Sequence, residues 1–390
     1  MVRSRSQHFS SKLRHLALAL SAIGLAGFSS SSGAVDFTYS GFGNITGGKV
    51  FSASGLDTGF PDPTQWRCPC YIADYSHGSV YGTRWTLTPD SRLGLQGTAS
   101  FTDNFSFTAQ VMARSAANET KADIEWAFFS YNLSPAWTIQ AGRKRLPLFF
   151  YSDFQDVAFA YNWTRVPPDV YGWPVVNFNG VNLTYRGDIG GWAVKSSGYI
   201  GSEHAREVPI AKLGDPSRVD INWSKMYGID LELNRDWFTM RAAVNKSRQQ
   251  RLRLGTNGFE QFSPDPAVFG SSSPQTYTSL SFNVDKDDLV VRSELSKVDG
   301  SPARGSYRGY LLGAGYRFGN FLPMMTVSRL NSYDATGKND EVDRNIGFTL
   351  RYQLNDSSAL KVQLDRSRWD FLNGTDNTRK LVTVSYDFTF

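Results

Sequence analysis

Apolar and polar residues alternate with a period of two along most of the chain. In Asn345–Leu354, Ile346, Phe348, Leu350, Tyr352 and Leu354 fall on one side, and Asn345, Thr349, Arg351 and Gln353 on the other. The same pattern runs through Arg92–Phe101, Phe105–Met112, Tyr310–Phe318, Leu360–Ser367 and Val382–Phe390. Period two is the mark of a β-strand with one apolar face. No strand reads as hydrophobic on both faces, which argues against a buried parallel sheet.

The strands are separated by connections of two kinds. Short polar turns are expected at 102–104, 134–136, 187–190, 234–236, 285–287, 319–320 and 355–357. Long connections are expected at 52–80, 114–121, 144–177, 201–222, 248–274, 298–306, 331–341 and 369–379. Strict alternation of short and long puts every long loop at one end of the sheet. Soluble sandwiches do not usually do this, whereas outer-membrane barrels do. Aromatics cluster beside the short turns, as an interfacial girdle requires. The expected fold is therefore all-β: a transmembrane antiparallel β-barrel of about sixteen strands over residues 35–390. Closure removes the unpaired edges that an open sheet of this size would expose. A barrel of this size leaves an aqueous channel rather than a filled core.

Composition changes this picture in one place. Residues 1–34 read as a cleaved secretory signal, with Arg3, Arg5, Lys12 and Arg14 ahead of the apolar run from Leu16 to Phe28. Small residues at Ser32 and Ala34 place cleavage before Val35. The apolar run is too short to span a bilayer as a helix. The formal net charge of +5 falls to +1 without those four basic residues, so the charge gives no reason to expect a nucleic-acid partner.

The segment from Trp137 to Val175 stands apart. It begins as a strand, passes through Arg143-Lys144-Arg145, and continues for more than twenty residues rich in aromatics, with acids at Asp153 and Asp156. Loops this long are functional or disordered. Disorder fits poorly with Phe149, Phe150, Tyr151, Phe154, Phe159, Tyr161 and Trp163. If the loop folds inward, the basic run and the two aspartates form a constriction. The alternatives are a surface loop with solvated charges, or an aromatic slide for sugars.

Alternation also gives a pore wall of Arg92, Arg114, Arg186, Arg241, Arg292, Arg317 and Arg351, with Lys195 and Lys361, against Asp230, Glu232, Glu294, Asp365 and Asp387. Rings of basic residues favour anions in pores. A wet lumen would also be charged without any selectivity, and a register slip of one residue flips a strand. Cys68 and Cys70 are a possible disulfide in an oxidising compartment, with free or intermolecular thiols as the alternative. No metal site and no cofactor is expected. Only His77 and His204 follow the leader, and neither a G-x-S-x-G elbow nor H-E-x-x-H is present, so no enzyme is expected.

Three stretches carry a family resemblance. They are Ser91–Gly97 with Asp103-Asn104, Ala141-Gly142-Arg143 at the mouth of the long third loop, and Leu381–Phe390 with its alternating aromatics and terminal Phe390. On these, the chain resembles the trimeric porins of Gram-negative outer membranes across nearly all of 35–390. The resemblance implies that loop 3 folds into the pore and that Phe390 is an assembly signal read by the barrel assembly machinery. It also implies a homotrimer set in outer-membrane lipid, with Gly41 and Gly43 as a candidate contact. The expected function is passive diffusion of small hydrophilic solutes with a weak anion preference. The alternatives are a specific channel for a carboxylate or phosphate, and a structural or adhesive barrel. The chain departs from the family's acidic eyelet at Tyr151–Asp156, and it carries two cysteines that ordinary porins lack.

Overall fold

A computed structural model describes residues 35–55, 69–213, 218–255, 258–261, 272–300, 306–334, 336–371 and 376–390. The expected leader, Cys68 and parts of several long connections lie outside the described residues. Asp36–Phe390 forms one compact unit.

The strands in chain order begin with β1 (Asp36–Ser54), β2 (Tyr71–Asp74), β3 (Ser79–Tyr81), β4 (Arg92–Thr102), β5 (Phe105–Ala116), β6 (Glu119–Asn132) and β7 (Trp137–Arg145). Next come β8 (Asn177–Ile189), β9 (Trp192–Ala205), β10 (Val219–Arg235), β11 (Phe238–Gly255), β12 (Gly258–Gln261) and β13 (Ser273–Lys286). The last six are β14 (Leu289–Asp299), β15 (Ser306–Tyr316), β16 (Phe321–Tyr333), β17 (Asn339–Asn355), β18 (Ser358–Phe371) and β19 (Asp376–Thr389). Sixteen of these make the wall. β12 only extends β11, and β2 and β3 form a separate hairpin. Each wall strand pairs antiparallel with its neighbour, and β1 pairs with both β4 and β19, so the barrel closes. Among the described residues the helical elements are three short 3₁₀ turns.

Alternation works as the sequence implies. On β17, Ile346 and Phe348 point outward, 49% and 40% exposed, while Asn345 and Thr349 face inward, 4% and 1% exposed. The outer face carries Leu93, Leu95, Val111, Val181, Leu183, Ile229, Leu312 and Val327, all exposed. A band of that extent marks an interaction surface rather than a water-facing one. Aromatics contact one another beside the short turns: Trp137 with Tyr185 at 5.1 Å, Trp192 with Phe238 at 6.2 Å, Phe321 with Tyr352 at 4.6 Å.

All seven short turns are present. Gly190 and Gly191 make one of them, with φ of 62° and 80°. One expected long connection is absent. β5 and β6 run on past 114–121 and meet at a two-residue turn, Ala117–Asn118, both with positive φ. The polar residues expected in a loop, Arg114 to Lys121, are strand residues whose ladder continues to Ala116↔Glu119.

The expectation that no strand is apolar on both faces is also overturned. On β15, Leu311 is buried inside while Leu312 is exposed outside. On β16, Leu322 and Met324 face in while Met325 and Val327 face out. Of these inward apolar residues, Leu311 and Met324 receive the aromatic loop described below.

The seam corrects the proposed role of two glycines. Phe390 and Gly41 exchange backbone hydrogen bonds of 2.8 and 2.7 Å. A Cβ on Gly41 would lie 2.2 Å from the Phe390 ring, and one on Gly43 2.8 Å from Phe388. The chain's own aromatics cover both glycines, so they offer no bare surface to a second barrel.

Candidate functional site

The segment 146–176 leaves the wall after Arg145, the last residue of β7 paired with β8, three residues beyond Gly142, whose φ of 139° is open to glycine alone. A Cβ there would sit 2.3 Å from the Ala127 carbonyl oxygen. The base of the segment is tied by the Leu146 amide, which donates to the Val176 carbonyl at 2.8 Å. Its aromatics form one cluster with inward wall residues. Phe149 packs on Tyr171 and Tyr277 at 4.5 and 5.3 Å, Tyr151 on Trp163 at 5.6 Å, and Trp173 on Trp223 at 5.4 Å. Leu311, Met324, Met226 and Tyr199 complete it. Burying this many aromatic rings supplies the driving force that disorder would forgo.

Hydrogen bonds then fix the segment to distant strands. The Trp163 indole donates to Thr326 on β16 at 2.8 Å. Lys361 on β18, fully buried, donates to the carbonyls of Ala158, Tyr161 and Trp163, each at 2.7 Å, and pairs with Asp387 at 2.7 Å. Arg351 on β17 donates to the carbonyls of Phe159 and Tyr161 at 2.9 Å. Arg165 bridges Asp90 at 2.9 Å and Asp365 at 2.5 Å, with its guanidinium 5.2 and 5.7 Å from the rings of Tyr71 and Tyr81. The β2–β3 hairpin thus clasps the segment, and Ser76 adds a bond to the Trp173 carbonyl at 2.8 Å.

The basic run divides among different partners. Arg145 pairs with Asp156, which Arg114 also holds at 2.8 Å and Arg92 at 3.3 Å; Glu125 joins this buried hub through Arg114 and Arg145. Arg143 instead pairs with both oxygens of Glu203 on β9 at 2.9 Å. Lys144 donates to Gln140 and to Asn182 on the wall. Asp153 pairs with Lys195 at 3.1 Å and lies 3.9 Å from Arg241. Partial burial would raise the Asp153 carboxyl, but Arg241 and Lys195 outweigh it and hold it at about 2.

Of the seven wall arginines, Arg92, Arg114, Arg241, Arg292 and Arg351 contact the segment, Arg241 through the Phe150 carbonyl at 3.0 Å and Arg292 through the Tyr151 hydroxyl. Arg292 and Arg317 share Asp285, at 2.8 and 2.9 Å. Arg186 is exposed, across the ladder from Lys195. Sequence reading missed Arg165, Asp90 and Glu125. It also missed the carbonyl grip of Lys361, which no side-chain pattern announces. Cys70 is buried beside Val80; its expected partner Cys68 lies outside the described residues.

Residues 17–371 match the family described as Gram-negative porin. No curated protein sequence matches the chain. Among solved structures, the outer membrane channel DcaP of Acinetobacter baumannii is similar, at 13% identity and a TM-score of 0.61 over 94% of this chain and 100% of that one. An anion-selective porin from Comamonas acidovorans gives 12%, 0.54, 91% and 100% in the same terms. The trimer form of OmpT of Vibrio cholerae gives 9%, 0.52, 92% and 100%. At these identities the likeness is one of fold.

Proposed function

The chain belongs to the Gram-negative porin family and is an outer-membrane channel, and from that premise we propose that it conducts small hydrophilic solutes passively, with a weak anion preference, past a constriction made by segment 146–176. The observation that carries this reading is the Asp153–Lys195 contact. It lies where the segment meets the wall, and its side chains are 38% and 30% exposed, so water reaches both. Lys144, Arg186 and Lys195 line that side, against Asp153 and Glu232. Fixed charge of one sign in a confined lumen raises the local concentration of the opposite ion. The exposed outer band would meet lipid, residues 1–34 would serve as the export signal, and Cys68 and Cys70 would staple the first long connection. The protein would assemble as a homotrimer, as the OmpT trimer form does. Its contact would not be Gly41 and Gly43, which Phe390 and Phe388 cover.

Planar-bilayer recording tests the reading. Conductance is expected to rise linearly with salt, with reversal potentials on the anion side under a gradient. Saturation or block by a carboxylate or phosphate would favour a specific site, and no conductance would favour a structural barrel. Removing Phe390 is expected to reduce heat-resistant oligomer in the outer membrane without changing secretion; unchanged oligomer would remove its assembly role.

A further inference from the structure

Segment 146–176 meets the wall a second time, near its far end. Asp169, 3% exposed, lines a cavity of about 10 Å³ with Asp343 on β17, 6% exposed. That is room for one water at most. The Asp169 carboxyl has only loosely placed donors around it, the Ser328 hydroxyl and the amides of Asp169 and Val170, none at good hydrogen-bond geometry. Asp343 accepts from Ser367 at 3.2 Å. The charged and titratable groups around the pair come from every packed element. They are Glu341 on β17, Asp365 on β18, Arg379 on β19, Arg165 on the segment itself, and Tyr71 and Tyr75 of the hairpin region. Arg165 is engaged by Asp90 and Asp365, and Arg379 packs over Trp369 at 4.9 Å. Four buried aspartates therefore face two guanidiniums. Carboxylates crowded together in a dry site cannot all ionise; one keeps its proton.

We propose that Asp169 and Asp343 form a proton-operated latch, closed while protonation spares the pair its mutual repulsion and loosened when both ionise, which ties segment 146–176 to the wall. The proposal rests on the reading of that segment as the constriction. Burial is the chief cause holding the Asp169 carboxyl at about 7, far above its ordinary value. The sign follows. A carboxyl raised in the docked state costs nothing below about 4, where it is protonated docked or free. The penalty grows as pH rises from about 4 to about 7, and is constant above. The latch is tightest in acid and weakest above neutrality. Across that window each step of one in pH moves the release equilibrium about tenfold.

The test is single-channel recording from pH 4 to 9 in calcium-free salt, paired with hydrogen–deuterium exchange over 160–176. Closure events and exchange are both expected to rise about tenfold per pH unit between pH 4 and 7 and then level. Asp169→Asn and Asp343→Asn should each flatten that step, and Asp236→Asn at a short turn should leave it. A step unchanged in both variants overturns the proposal. So does a step set by added calcium and indifferent to pH, which would make the pair a cation site. If the variants fail to assemble, wild-type exchange decides, and a flat profile overturns the latch. Absent conductance with a pH-stepped exchange profile would retire the channel reading and leave the latch standing.

Discussion

Lys361 and Lys195 are both inward lysines paired with an aspartate, at 2.7 and 3.1 Å. The Lys361 pair has no exposure, while the Lys195 pair is about a third exposed. The difference divides the interior. On the strands from β16 through β19, Lys361, Arg351 and Asp365 are bound to segment 146–176, and their charges are structural. On β7 to β10 the segment packs against Tyr199, Trp223 and Met226, while Lys144, Arg186 and Lys195 keep part of their surface in water. Counting basic residues on the inner face therefore overstates selectivity, because a desolvated charge satisfied by carbonyls has little field left to offer.

Replacing Lys361 with Met should break the comparison hardest. It strands Asp387 and unties three carbonyls, and losing one member of a buried pair costs about 3–5 kcal/mol. Urea unfolding in detergent should show a clearly lowered midpoint; an unchanged midpoint would mean the segment is not anchored there. Neutralising Lys144, Arg186 and Lys195 to Gln should leave unfolding nearly unchanged and move the reversal potential toward cations. That shift should shrink as salt rises, since the Debye length is about 8 Å at physiological ionic strength. Equal shifts from Arg248→Gln with Arg251→Gln would show that only net charge matters. Trp163→Phe removes the bond to Thr326 and part of the buried indole, for a smaller loss of about 1–3 kcal/mol. The smallest effect is acid's action on Asp153. Its carboxyl is depressed to about 2, so its contribution holds above about 4 and is lost only as pH falls toward 2. Between pH 5 and 8 the Lys195 contact should not respond, and a change in selectivity there would contradict that.

The wall was readable in the sequence because a strand's period of two needs no knowledge of its neighbours. The weight of the aromatic segment was readable for a similar reason, since so many rings require a surface. Pairing was not readable. Arg143 and Arg145 are two residues apart, yet one reaches Glu203 on β9 and the other Asp156 in the segment, and nothing local to the sequence announces either partner. The receiving surface hid in plain doublets, Leu311-Leu312 and Met324-Met325, whose inner members look like breaks in the alternation until the loop is set against them. The Ala117–Asn118 turn was concealed by polar strand residues that resemble loop.

Lys361 and Arg351 take hold of the segment by the main chain, at Ala158, Phe159, Tyr161 and Trp163. Every residue type presents the same carbonyl. Neighbours that keep their side chains in solvent, such as half-buried Val157 and exposed Ala160, can therefore drift in identity while the segment keeps its place. What the segment presents to solvent is separable from the frame that holds it, and inheritance can alter one without disturbing the other.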